Sequence, residues 1–199
     1  MPSADESPFQ RLDGAFYARP AVDVSRNLLG AILVRHVDGV VRRARIAEVE
    51  AYLGPADLAS HSSKGRTART EVMFGHPGRA YVYFIYGVHW MLNIVVGKPG
   101  DAEAILIRGA EPLDGWDVTL TGPGRLAKAF GVTRADNGCD LATDDFHLLS
   151  DHVYKPRIVR TRRIGVDYAR HWANRLLRFV DARSPVVSRL AKPKRRQSP

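Results

Sequence analysis

The chain has 199 residues, a hydrophobic fraction of 45% and a formal net charge of +9, enough for one substantial core and short for two. Its single cysteine, Cys139, excludes an intramolecular disulfide and a cysteine-based zinc ribbon, and reads as a packing or turn residue in a reducing compartment. Residues 1–10 lack the apolar core of a signal peptide, and the longest apolar run, 80–96, is interrupted by Gly87, His89 and Asn93 and is too short to span a bilayer.

Residues 1–8 and 190–199 are rich in Pro, Ser or charge without periodicity, so disordered tails are expected around one domain at 9–189. Residues 20–29 predict a helix with Pro20 at its start and Gly30 as its stop. Residues 31–37 and 40–53 predict a strand pair, because Asp38-Gly39 between β-rich runs favours a type I′ turn. In the second strand, a period of two places Ile46, Glu48, Glu50 and Tyr52 on one face. Residues 60–74, with Lys64, Arg66 and Arg69, predict a loop leading into a short helix. Residues 81–86 and 89–96, aromatic and β-branched around Gly87, predict a second hairpin with Tyr86 near its tip. A strand at 104–108, a helix from Gly122-Pro123-Gly124-Arg125 to Phe130, and short strands at 158–165 and 177–180 complete the expectation: a mixed α/β (α+β) domain with a mainly antiparallel sheet.

The positive charge suggests a polyanionic partner. Arg189, Lys192, Lys194, Arg195 and Arg196 supply more than half of it, and a basic tail of this kind is more often a solvated or nonspecific arm than a specific site. Lys155, Arg157, Arg160, Arg162 and Arg163 form a second cluster, inside the domain, and predict a basic face.

Within 46–61 two carboxylates, a tyrosine and a histidine share one short window. A buried carboxylate facing a pocket can deprotonate water or stabilise an oxocarbenium-like sugar, and glutamate is poorly suited to strand interiors. The alternative for Glu48-Val49-Glu50 is a solvated sheet face with arginine neighbours. Tyr52, Tyr81, Tyr83 and Tyr86 offer surfaces on which bases stack; for Tyr81, sheet packing with its hydroxyl in water is preferred. Tyr86 beside Gly87 has little core to join and suits a wedge that fills the gap left by an extruded nucleotide. His61, His76 and His89 lack compact ligand spacing, so no metal is expected, and without a Walker or Rossmann loop no nucleotide cofactor is expected either. Gly122, Gly124 and Arg125 are candidate phosphate contacts at a helix start, or a plain helix beginning.

Together these residues resemble the alkyladenine (3-methyladenine) DNA glycosylase family, through Leu28-Leu29-Gly30, the stretch from Glu48 to Pro55, His61-Ser62, Met73-Phe74, Pro77-Gly78, the stretch from Tyr81 to Gly87, Asn93-Ile94, the stretch from Arg108 to Leu113 and Gly122-Pro123. The resemblance implies a single domain with a curved, mainly antiparallel sheet, peripheral helices and a protruding, DNA-intercalating β-hairpin that enters the minor groove. It implies that Glu50 activates the attacking water, with Arg108 helping to hold that water and the sugar. Tyr52 would stack on one face of the flipped base, His61 and Tyr83 on the other; Tyr86 would be the wedge, and Asn93 a gate disfavouring guanine. Glu48 is left a supporting part. The implied enzyme is monofunctional and cofactor-free. It releases alkylated or deaminated purines (3-methyladenine, 7-methylguanine, hypoxanthine, ethenoadenine) from damaged double-stranded DNA, in agreement with the absence of lysine from the matching blocks. A monomer without membrane contact is expected in the cytoplasm, associated with the nucleoid in a bacterium. The competing possibility is a noncatalytic DNA-binding module.

Overall fold

A computed structural model describes residues 9–143 and 145–188. The tails expected at 1–8 and 190–199 lie outside the described residues, as does residue 189 at the end of the expected domain. The domain is α+β, built on a mainly antiparallel, unclosed sheet of nine strands. The elements are β1 (Phe9–Arg11), α1 (Gly14–Tyr17), α2 (Ala21–Leu28), β2 (Ile32–Val37), β3 (Val40–Tyr52), β4 (Ala80–Ile85), β5 (His89–Val96), β6 (Glu103–Pro112), α3 (Pro123–Ala129), β7 (Phe146–Asp151), β8 (Ile158–Thr161) and β9 (Arg178–Asp181). The strands order as β1-β7-β2-β3-β6-β5-β4, with β9 pairing β3 and β8 pairing β9. Among the described residues no helix is long and apolar enough to cross a membrane.

The long strand β3 organises the sheet. Its first half pairs with β2 up to Arg45, and β9 takes over the same edge at Glu48, while β6 runs along the other edge. Period-two alternation then divides the sheet into two faces. One face carries Ala80, Val82, Leu92, Ile94, Ile105 and Ile107 into the main core, beneath Val24 and Leu28 of α2 and Leu126 of α3. The other face carries Tyr81, Val95 and Ala104 into a smaller cluster with Met73.

The expected hairpins form for the expected local reasons. Asp38 and Gly39 both have positive φ, 52° and 74°, as a type I′ turn requires. At the second turn Ile85 pairs with His89, and Tyr86 (φ 55°) and Gly87 (φ 67°) turn the chain in the left-handed region. Glycine does so freely, whereas tyrosine bears a cost of about 1 kcal/mol or more.

Other expectations need correction. Ile46 does not share a face with Glu48, because the β3–β6 register shifts between Ile46 and Glu48 and again between Glu48 and Val49. This β-bulge sends Ile46 into the main core with Val49 and Ala51 and leaves Glu48 and Glu50 on the other side. Residues 60–74 do lead into a short helix, Glu71–Phe74, but it is of 3-10 type, and a second 3-10 turn, His61–Lys64, stands where loop was expected. The strand expected at 158–165 ends at Thr161 because Arg163 and Ile164 leave the ladder for other partners. The strand expected at 104–108 continues to Pro112. Strands β1 and β7 had no strong signal.

Gly54, at φ 75°, opens the 3-10 turn after β3, and a β-carbon there would press onto the Asp101 carbonyl oxygen. Gly54→Ala combines this clash with an unfavourable φ and is expected to cost about 2 kcal/mol or more, read as a lower urea midpoint with an unchanged m-value.

Candidate active site

The second face of the sheet presents one lateral row across five strands. Arg178 pairs in register with Glu50, Glu50 with Leu106, Leu106 with Asn93, and Asn93 with Tyr81. Antiparallel partners directly opposite share a face, so the row converges on one place. A cavity of about 290 Å³ opens there, at the small end for ligand sites. Its walls include Tyr52, His61, Tyr83, Asn93 and Arg108, and Tyr86 stands at its rim.

Glu48 and Glu50 are both fully buried at 0% exposure, which overturns the solvated-face alternative. Glu50 Oε1 accepts from the Ile164 amide at 2.8 Å, and its Oε2 accepts from the Tyr52 hydroxyl at 2.9 Å and from Arg108 at 3.4 Å. Burial dominates these donors and raises the Glu50 carboxyl above its ordinary pKa. Glu48 fares differently. Burial again opposes its charge, but the Ser188 amide and the guanidiniums of Arg178 and Arg108 together outweigh it and lower its pKa. Two carboxylates two residues apart are thereby driven in opposite directions, a pattern associated with division of labour in acid–base sites.

Tyr52 is fixed at both ends. Its hydroxyl donates to Glu50, and the Arg163 guanidinium lies 4.7 Å from its ring centroid. Arg163 does not belong to the basic face expected from its cluster. It is 5% exposed and bidentate to the buried Asp57 at 2.5 and 2.9 Å, with a further bond to the Ala51 carbonyl. Its four cluster neighbours Lys155, Arg157, Arg160 and Arg162 are exposed.

His61 faces Tyr83 edge-on, with ring centroids 4.5 Å apart, and its Nδ1 meets the Tyr81 hydroxyl at 2.9 Å. The Tyr81 hydroxyl is therefore engaged within the protein rather than in water. Burial, and secondarily Arg69, lowers the His61 pKa from 6.5 to about 4, so the imidazole is neutral at neutral pH. Asn93 donates from Nδ2 to the Tyr81 carbonyl at 3.0 Å, which leaves its side-chain oxygen as the acceptor for a ligand. Tyr86 is 87% exposed at the hairpin tip.

The cavity wall also includes Pro123, which brings the start of α3 to its edge. Gly124 is required there by packing: a β-carbon would lie 2.8 Å from His89 Cγ. Gly122 caps the helix at φ 95°, and Arg125 is exposed. Cys139 packs partly against the main core, and burial pushes its thiol up to about 11. Among the described residues no three His, Cys, Asp or Glu side chains converge as a metal site would require.

Sequence reasoning missed Asp57, Arg178 and the Ile164 amide. Arg178 carried a signal, a lone charge inside Leu176-Leu177-Arg178-Phe179-Val180. The Asp57–Arg163 pair, far apart in sequence, carried none.

Asp57→Ala is expected to strand the Arg163 guanidinium and to cost about 3–5 kcal/mol, measured by denaturant unfolding. For His61 the folded pKa lies below the unfolded one, so the unfolded state binds the proton first as pH falls. Its contribution to stability is complete above pH 6.5 and is lost between 6.5 and about 4. His61→Gln is expected to flatten the pH dependence of Tm across that window.

The family model for methylpurine-DNA glycosylase (MPG) matches residues 15–185. A protein of Anaeromyxobacter dehalogenans is 49% identical over 181 residues, covering 90% of this chain and 86% of its own. One from Myxococcus xanthus is 48% identical over 189 residues, 94% and 97% of the two chains, and one from Legionella pneumophila strain Corby is 45% identical over 182 residues, 90% and 99%. All three are provisionally named 3-methyladenine DNA glycosylases. With a buried glutamate behind an aromatic cavity and a match over most of its length, the chain belongs to the methylpurine-DNA glycosylase family.

Proposed function

We propose that the protein is a DNA glycosylase that draws a damaged purine nucleotide out of double-stranded DNA into this cavity and hydrolyses its N-glycosidic bond. The observation that carries this reading is the Glu50 carboxylate, fully buried behind a wall formed by three of its own donors, Tyr52, Arg108 and Ile164.

An N-glycosidic bond to a purine breaks through a transition state with positive charge on the sugar. A buried carboxylate stabilises that charge strongly, because little solvent screens it. The same group, with its pKa raised, is a better match for removing a proton from the attacking water at neutral pH. Arg108 shares the carboxylate and is placed to orient that water. Tyr52 offers one stacking surface, with His61 and Tyr83 opposite. A neutral His61 does not repel a cationic alkylated base. Asn93 is proposed as the gate that disfavours guanine, because its amide is tied to the Tyr81 carbonyl and would not move aside for the exocyclic amine. Tyr86, exposed and held in a strained conformation, fills the space the flipped nucleotide vacates. Gly122, Gly124 and Arg125 are proposed to lie along the phosphates at the cavity edge.

The substrate class comprises 3-methyladenine and 7-methylguanine, whose positive charge makes them good leaving groups, together with neutral hypoxanthine and ethenoadenine, which depend more on the protein. No lysine is among the cavity-lining residues, in keeping with attack by water and an abasic product whose backbone stays intact. The protein is proposed to act as a monomer, in the cytoplasm and at the nucleoid of a bacterium.

Duplexes carrying each lesion are incubated with the protein and then treated with alkali. Alkali-dependent breaks are expected, with none before alkali; their absence on every lesion, with binding retained, would leave a noncatalytic DNA-binding module. Glu50→Gln is expected to lower excision by about 10²–10⁴-fold while lesion binding persists. The wild-type rate is expected to fall on the acid side, with a midpoint above the ordinary carboxylate range, because only ionised Glu50 can accept the proton.

A further inference from the structure

Strand β3 buries a second carboxylate for which base removal has no direct use. Glu48 is 0% exposed and accepts three charged or amide donors: Arg108 Nε at 3.0 Å and Arg178 Nε at 2.8 Å on Oε1, and the Ser188 amide at 2.7 Å on Oε2. The Arg108 guanidinium is therefore shared unequally. Its Nε closes on Glu48, whereas another of its nitrogens, Nη1, stands 3.4 Å from Glu50 Oε2.

The backbone enforces this division. The paired register shifts leave Arg108 in a bulge of β6, opposite the bulge of β3, and bulges re-aim side chains. Gly109 then allows close packing: a β-carbon there would lie 3.1 Å from the Val186 carbonyl oxygen and 3.4 Å from Glu48 Cβ. The C-terminal segment is thus laid directly over Glu48 and fixes it through Ser188.

We propose that Glu48 is a positioning residue that tethers Arg108 and keeps its guanidinium from closing onto Glu50, so that Glu50 stays available to a water molecule. This rests on the hydrolytic role proposed for Glu50. A guanidinium released from Glu48 has one nearby anion to neutralise, and it is the base itself. A carboxylate locked in a full ion pair is a weaker base, since an adjacent opposite charge lowers its pKa by about 1–3 units. Arg178 tunes the tether from the other side by competing with Arg108 for the same Glu48 oxygen. The charged and titratable groups around Glu50 are Glu48 and Tyr52 on β3, Arg108 on β6, Arg178 opposite it on β9 and Tyr83 on β4. Burial raises both phenols, which leaves Glu48 and Arg108 as the charges that act on Glu50 directly, with Arg178 acting through Glu48.

The experiment is the pH profile of single-turnover excision from a hypoxanthine duplex, with folding of each variant checked by circular dichroism. Glu48→Gln is expected to lower the plateau and to move the acid limb down by about 1 pH unit or more. Arg178→Gln is expected to move it up, because Glu48 then holds Arg108 more closely. In an Arg108→Gln background the Arg178→Gln shift is expected to vanish and the Glu48→Gln shift to shrink to the part that direct repulsion between the two carboxylates supplies. A Glu48→Gln profile that is merely scaled, with its limb unmoved, overturns the proposal. So does a Glu48→Gln shift that is undiminished in the Arg108→Gln background, since it then arises wholly from the Glu48 charge acting directly on Glu50. Should Glu48→Gln fail to fold, the Arg178→Gln pair, with and without Arg108→Gln, decides on the same criteria. A wild-type protein that releases no base from any lesion instead refutes the hydrolytic reading itself.

Discussion

Burying two carboxylates on one strand is the constraint around which this domain is arranged. Removing an ion from water costs several kcal/mol even after relaxation, and Glu48 and Glu50 are close enough that each charge opposes the other. Besides Tyr52 on β3 itself, the compensating donors come from four places: Arg108 on β6, Arg178 on β9, the Ser188 amide in the C-terminal segment and the Ile164 amide beyond β8. Each segment must be in place for the carboxylates to be tolerated. The length of β3, its change of partner from β2 to β9 and its bulge all follow from bringing those donors to adjacent positions.

The sheet keeps this costly arrangement apart from the apolar core. On β4, β5 and β6 alternate residues serve two ends: Val82, Leu92, Ile94, Ile105 and Ile107 pack toward α2 and α3, while Tyr81, Asn93 and Arg108 turn to the cavity side. The apolar packing is concentrated on the first face and the cavity with its charged groups on the second. Substitutions on one face thus have little reason to disturb the other, except at Glu48 and Arg178, whose ion pairs tie strands together as well as surrounding Glu50.

What could be read from the sequence was local. Asp38-Gly39 specified its turn through backbone preferences alone, and the aromatic β4–β5 hairpin announced itself by composition and by Gly87. The shared orientation of Glu50 and Tyr52 followed from a period of two, and the structure joins them by a hydrogen bond. The same rule failed at Ile46, because a bulge depends on the register of two strands separated by more than fifty residues and leaves no mark in either. Arg163 was misjudged for a related reason. In a run of basic residues nothing distinguishes the one whose carboxylate partner lies in a distant turn. Strand β1 is three residues long at the sheet edge, and β7 is held between it and β2, so pairing with neighbours rather than propensity decides there.

Rigidity around the cavity bears on how the proposed base extrusion is driven. Tyr52 is held between Glu50 and Arg163, His61 by Tyr81, and the 164 segment by its amide bond to Glu50. Few side chains therefore need ordering when a nucleotide arrives, and little of the binding free energy is lost to immobilising them. Unstacking a base costs a few kcal/mol, and a preformed stacking site returns more of that cost than one assembled on binding. At the hairpin tip, by contrast, Tyr86 and Val88 stand exposed, with Tyr86 at positive φ. Under the proposed function, adaptation to a duplex would thus fall to the exposed tip, and the carboxylate, the arginine and the aromatic walls would move little.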